Sequence, residues 1–250
     1  MSERIPIEAG VPRAVDDPDD DVDMDAPVEI IDRREVYRGA VFHVEDMTIG
    51  LRCRDGRTIP VRRQVMRHAP CVVMLVHDEK TDRYLIEREY RVGSGRYAYG
   101  IPAGMMDEGE DVETAALREL AEETGVAPAG PESVRFDHVG DCYSSEGMTD
   151  ELAHIMVIHL DGWRPTTKRP DADEHVASAW TDWNGLLATP VTASNSIIAI
   201  QHERIRRLTG EREARTGRAH DATPADAQTD RTEAQTVRVA THVPSNEVRY

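Results

Sequence analysis

Gly104–Val126 reads GMMDEGEDVETAALRELAEETGV. Glu119, Glu122 and Glu123 fall at i, i+3 and i+4 of a helical pattern. That spacing places three carboxylates on one face, within about 6 Å of one another. Like charges so arranged destabilise a helix, and no lysine four residues away relieves them; only Arg118 is near. The pattern therefore predicts a divalent cation at this face. A hard cation such as Mg²⁺ takes oxygen ligands and keeps several waters, which leaves positions for phosphate oxygens. It can polarise a phosphoryl group, orient a diphosphate and lower the pKa of a bound water. Val112, Ala115, Ala116, Leu120 and in part Leu117 supply the apolar stripe of the helix. Asp111 is placed to cap its start and Gly125 to end it.

Working outward, CVVMLVH (Cys71–His77) is a nearly continuous apolar run and predicts a buried central strand. Arg83–Glu89 follows as a strand, then a loop carrying Gly93, Gly95 and Gly100. Upstream, Val28–Tyr37, Val41–Leu51 and Thr58–Met66 are strand-like, broken at Arg38-Gly39 and at the turn Arg54–Arg57. Downstream, Val134–Tyr143 and Glu151–Leu160 are strands around the loop Ser144–Asp150. A last strand, His175–Thr181, precedes a second helix, Ser194–Leu208. Strands and helices alternate irregularly, which favours an α+β fold, a layered α/β/α sandwich with a mixed sheet, over a doubly wound one.

The chain has 250 residues and a formal net charge of -17. Binding nucleic acid needs basic surface, so that class is disfavoured, whereas phosphate chemistry stays open if metal ions carry the positive charge. The three cysteines, Cys53, Cys71 and Cys142, form no CxxC pair, so neither a disulfide framework nor a zinc motif is predicted. The chain shows no apolar leader and no run of membrane-spanning length. A cytoplasmic protein that is not membrane-bound is the expectation. Residues 1–27, with the acidic run Asp16–Asp23, read as a disordered tail, and 211–250 as a second one containing the strand-like stretch Thr236–Val243. Residues 28–210 form the globular block, of which 28–66 is a β-rich segment.

Gly104, five residues, Glu110, seven residues, then Arg118-Glu119-Leu120-Ala121-Glu122-Glu123-Thr124-Gly125-Val126 resembles the Nudix box at every defining position. The resemblance implies the Nudix fold and hydrolysis of a diphosphate linked to another group. It implies Glu119, Glu122 and Glu123 as metal ligands, with the Ala103 carbonyl as a further one. The cation implied is Mg²⁺, with Mn²⁺ as the alternative. Arg118 would hold Glu110 or a metal-binding glutamate in place.

The flanks resemble ADP-ribose pyrophosphatases within that family. They are Leu85-Ile86-Glu87-Arg88-Glu89-Tyr90-Arg91, Ile101-Pro102-Ala103-Gly104 followed by Met105-Met106-Asp107, and Tyr143 to Glu151. Asp55-Gly56 and Arg62-Arg63 at the front end match as well. This likeness implies cleavage of ADP-ribose to AMP and ribose 5-phosphate, with Arg91 and Arg63 contacting the substrate. Glu151, from a mobile loop, would act as or position the general base, with Glu122 as the second catalytic carboxylate. It also implies a homodimer whose N-terminal strands complete the partner's site. Two positions depart from the pattern: Gly100 replaces a glutamate before IPAG, and Glu146 replaces a loop proline. Both bear on substrate choice, so another nucleoside diphosphate sugar or a dinucleotide stands as the alternative substrate. An ADP-ribose-sensing regulator is the non-enzyme alternative; the intact glutamates and the absence of a basic patch in 211–250 count against it. Phe42, Tyr90, Tyr97, Tyr99 and Tyr143 are available to stack on a base or to pack internally.

Overall fold

Two acids flanked by arginines organise the front of the molecule. In a computed structural model that describes residues 21–169 and 175–221, β1 (Glu29–Arg38), β2 (His43–Arg52) and β3 (Thr58–Arg67) form an antiparallel sheet of their own. Glu45 and Asp46 on the middle strand are buried. Glu45 accepts from Arg33 on β1 and Arg67 on β3, and Asp46 from Arg34 on β1 and from Arg62 and Gln64 on β3. The Arg62 guanidinium, followed by Gln64, holds the Asp46 carboxyl well below the usual range. Gly56, at φ 89°, lets the β2–β3 turn close with a left-handed residue that a side chain would strain. The segment before β1 is partly ordered where a tail was expected: Val22 bridges to Cys53, and Asp21 pairs with Arg57 at 2.8 Å. The rest of that expected tail, residues 1–20, and the strand-like stretch Thr236–Val243 lie outside the described residues.

The main sheet is built from β4 (Cys71–Asp78), β5 (Arg83–Arg91), β6 (Arg96–Gly100), β7 (Ala103–Met105), β9 (Val134–Tyr143), β10 (Leu152–Leu160) and β12 (Ala177–Asp182). Its spine runs β12-β5-β4-β10-β9, with β4 and β10 parallel and the other pairs antiparallel. Two short strands, β8 (Val126–Pro128) and β11 (Trp163–Pro165), pair separately. The helices are α1 (Val112–Glu119), α2 (Trp183–Ala188) and α3 (Ser194–Asp221). By its internal contacts the chain divides into Met1–Arg206 and Arg207–Tyr250, and the packing described here belongs to the first unit. Among the described residues no helix is long and apolar enough to cross a membrane.

Every residue of β4 is buried, as its apolar run predicts. Because side chains alternate across a strand, the odd positions Val73 and Leu75 join Ile155, Val157, Leu186, Ala199 and Ile200 on one face. The even positions Val72, Met74 and Val76 join Ala115, Ala116, Leu120, Met156 and Ile158 on the other. The sheet is thus covered by α1 on one side and by α2 and the start of α3 on the other. This is the expected layered sandwich.

Two departures from the simple reading bear on the cavity. The acidic helix is α-helical only to Glu119; Leu120–Thr124 widens into a π turn before Gly125 (φ 71°) ends it. A segment beyond β11 completes that turn, where Arg169 N donates to Glu122 O at 2.9 Å and Thr166 N to Gly125 O at 2.8 Å. The other departure lies in β6 and β7, which occupy what reads as a glycine loop. β5 pairs with β4 only at His77–Tyr84 and Asp78–Arg83 and then diverges; β6 continues on β5 and β7 on β4. The splay opens a cleft in the sheet. The second helix also runs past its expected end at Leu208, to Asp221.

Adjacent residues Ile155 and Met156 point into opposite halves of the core and are almost fully buried. Ile155→Ala and Met156→Ala should each cost about 2–5 kcal/mol by urea denaturation. A loss under about 0.5 kcal/mol at either position would mean that one face of the sheet is not packed as described.

Candidate active site

Where β4 and β5 part, a cavity of about 830 Å³ opens, with Ala103, Arg118, Glu119 and Glu122 on one side and Arg91 and Glu151 among its other lining residues. The acidic side is organised by Arg118. Its Nε and Nη2 donate to the two oxygens of Glu110 at 2.9 and 2.8 Å. Nη1 donates to Glu119 at 2.7 Å and to Glu122 at 3.1 Å, and Nη2 also donates to the Met105 carbonyl at 2.9 Å. Three carboxylates thus share one guanidinium, so the wall keeps an excess of negative charge. The Arg118 guanidinium pulls the Glu110 carboxyl down to about 2, against the opposing effect of burial. Arg118 itself is held more firmly protonated by Glu110 in the first place.

Backbone geometry explains why Gly104 stands on β7. A Cβ there would overlap the Glu119 side chain, so only glycine leaves room for this carboxylate against the strand. The Ala103 carbonyl belongs to the same strand, whose partner is β4. Glu122, in the π turn, is half-buried and lines the cavity, whereas Glu123 is 6% exposed and is not among the lining residues. The three glutamates expected on one α-helical face therefore divide into two at the cavity and one beneath it. π turns of this kind concentrate at functional sites.

Glu151, immediately before β10, also lines the cavity. Its carboxylate lies 3.7 Å from His68 Nδ1 and 4.0 Å from the Cys71 sulfur. Burial, with the Glu151 charge added, pushes the Cys71 thiol up to about 12, so it stays a neutral apolar wall. The loop before Glu151, expected to be mobile, is bonded to β3: Met66 N donates to Met148 O at 2.8 Å, and Asp150 accepts from Arg67 Nη1 and His68 N. Arg91 lines the cavity and pairs with Glu89 at 3.0 Å. Arg63 is not among the lining residues; it sits on β3 and donates to the Arg62 carbonyl. Of the aromatic candidates Tyr99 lines the cavity, with the Arg88 guanidinium 5.3 Å from its ring. Tyr90 and Tyr97 stack edge-on with each other, and Phe42 packs on Tyr37.

Sequence reasoning missed Cys71, His68, Glu87 and Arg169 as lining residues. Cys71 and His68 carry no motif and meet Glu151 only because β4 and β10 run parallel from the same end. Glu87 pairs in register with Gly100, one of the two positions that depart from the family pattern. The cavity therefore retains a carboxylate from the neighbouring strand at this level.

The family model described as the NUDIX domain matches residues 67–199. A putative nudix hydrolase 2 of Caenorhabditis elegans is 28% identical over 121 residues, 47% of this chain; the chain spans only 52% of that protein's length. The ADP-ribose pyrophosphatase of Escherichia coli (strain K12) is 28% identical over 186 residues, covering 70% of this chain and 86% of that protein. The crystal structure of an ADP compounds hydrolase superposes with a TM-score of 0.56 at 24% identity, covering 74% of this chain and 96% of the other; this likeness speaks for the fold.

The depressed Glu110 carboxyl makes acid sensitivity a test of the Arg118 cluster. Its folded pKa lies below its unfolded value, so its contribution is complete above about pH 4.5 and is lost as pH falls towards 2. Glu110→Gln should flatten the loss of stability over that window in urea titrations, and parallel acid limbs for the two proteins would contradict the pairing.

Proposed function

The chain belongs to the Nudix hydrolase family, and on that premise we propose that it hydrolyses ADP-ribose to AMP and ribose 5-phosphate with Mg²⁺. The observation that carries the reading is the excess of carboxylate charge that Arg118 gathers on one wall of a cavity that Glu151 and Arg91 also line. The E. coli relative that spans most of this chain is named an ADP-ribose pyrophosphatase, which supports the choice of substrate.

The donor set fits a hard divalent cation. It consists of oxygens, it keeps surplus negative charge, and Gly104 leaves the space that Glu119 occupies. Glu119 and Glu122, with the Ala103 carbonyl and with Glu123 beneath, would hold Mg²⁺ or Mn²⁺, which when bound offsets phosphate charge and acidifies water. The remaining roles fall to side chains. Arg91 binds phosphate oxygens, exchanging its pairing with Glu89 for the substrate's. Glu151 takes the proton of the attacking water as the new P–O bond forms and the bridging P–O bond breaks. The neutral Cys71 thiol lies beside that carboxylate. Arg118 keeps Glu119 and Glu122 from swinging apart, so the carboxylates are in place before substrate arrives.

The N-terminal sheet would form a homodimer interface. Ile30, Val36, Tyr37, Val41 and Phe42 are exposed on or beside it, and Tyr37 packs on Phe42; clustered apolar exposure marks interaction surfaces. In such a dimer Arg63, which does not line the cavity of its own chain, would face the partner's cavity. Tyr37→Asp should shift the mass in light scattering from dimer to monomer; a wild-type monomer at micromolar concentration would remove this part of the account.

Glu151→Gln should lower kcat by about 10²–10⁴-fold with little change in KM, as for a general base. Glu122→Gln should lower turnover with Mg²⁺ by a comparable factor while circular dichroism stays native. Turnover within a few-fold of wild type in either variant would take that residue out of the reaction. In a panel of nucleoside diphosphate sugars and dinucleotides at equal concentration, ADP-ribose ranking well below another compound would overturn the substrate assignment.

A further inference from the structure

Away from the cavity, the parallel register of β4 and β10 sets His77 directly beside His159. Cys71 of the cavity opens β4 and His77 nearly closes it; six residues of strand place the two about 20 Å apart. The two histidines present their Nδ1 atoms to each other at 3.1 Å. Glu79, on the turn after β4, brings Oε1 to 3.6 Å from His159 Nδ1. One ligand atom from each of the three lies within 4.8 Å of the others. Two nitrogens about 2.0–2.1 Å from a tetrahedral zinc ion stand roughly 3.3 Å apart, so these separations fall on either side of what one cation requires.

The surroundings prepare the two imidazoles. His77 Nε2 donates to Asp82 Oδ1 at 2.9 Å, the carboxylate–histidine arrangement that orients metal-binding imidazoles. With the proton on Nε2, the lone pair of His77 Nδ1 faces His159. Asp82 reaches this position from a left-handed backbone (φ 50°), which is uncommon outside glycine. The His159 side chain is fully buried and its Nε2 has no hydrogen-bond partner. Without an ion, His159 Nδ1–H donates to the lone pair of His77 Nδ1; its unpartnered Nε2 can take the proton instead, which frees Nδ1 for a cation. Burial first, then the charges of Arg135 and Arg206, lowers His159 to about 4, so the ring is neutral at pH 7 and metal binding needs only that shift of tautomer, with no net release of a proton. Glu79 is partly open to solvent and gives a route of entry; Arg135 holds its Oε1 at 3.0 Å, leaving Oε2 able to turn inward.

We propose that His77, His159 and Glu79 bind a zinc-class divalent cation at a site separate from the diphosphate-cleaving cavity. Two imidazoles and one carboxylate favour Zn²⁺, Co²⁺ or Ni²⁺ over Mg²⁺. The ion would tie β4, β10 and the β4–β5 turn together, with water completing its shell.

The test uses the full chain carrying Glu119→Gln and Glu122→Gln, stripped with a chelator and titrated with Co²⁺. The expected result is one equivalent bound with the intense visible bands of a tetrahedral N/O site, and a Tm that rises with Zn²⁺. Adding Glu79→Gln, a partly exposed position that does not endanger the fold, should weaken binding by about 10-fold or more, and His77→Gln should abolish it. Absence of saturable Co²⁺ uptake, or uptake unchanged by both substitutions, would overturn the proposal and leave Asp82, His77 and His159 as a hydrogen-bonded chain only.

Discussion

The guanidinium of Arg118 donates to Glu110, Glu119 and Glu122 and to the Met105 carbonyl, and this fastens α1, the loop before it and strand β7 at one point. Without that cation the carboxylates would repel one another and the end of the helix would open. With it they remain close but incompletely neutralised, which suits a site that receives further positive charge with its substrate. The Arg118 side chain is itself largely out of solvent, so water competes little for its bonds to these acids.

The sheet provides the other half of the design. Because β5 leaves β4 after two residue pairs, and β6 and β7 fill the gap from opposite sides, the cavity is cut into the sheet itself. The acidic wall rides on β7 and α1, Arg91 ends β5, and Glu151 stands at the start of β10 beside the first residue of β4. Five elements thus meet around one space. The core on both faces of β4 and β10 keeps them in register, so stability and site geometry depend on the same packing.

Much of this was legible in the sequence, for identifiable reasons. The run Cys71–His77 reads as a buried strand, and it is one; the apolar stripe of α1 faces the sheet. Gly104 and Gly125 sit where a Cβ would collide with Glu119 and with the Thr166 carbonyl, so their places in the motif have steric causes. The π turn was not legible, because a period of 3.6 residues cannot register a local change to i→i+5 bonding completed by Arg169 and Thr166 from far along the chain. Glu123, expected beside Glu119 and Glu122, is buried and is not among the lining residues. Arg63 was chosen by motif and lies on a separate sheet; Cys71, His68 and the His77–His159 pair were missed because only parallel strand pairing brings them to their partners.

The account is tested most directly by the products formed from ADP-ribose with Mg²⁺ in ¹⁸O-water, resolved by mass spectrometry. It predicts AMP and ribose 5-phosphate in equal amounts, with one ¹⁸O in the phosphate of one product. Release of orthophosphate, or intact ADP-ribose after prolonged incubation with fully folded protein, would contradict it.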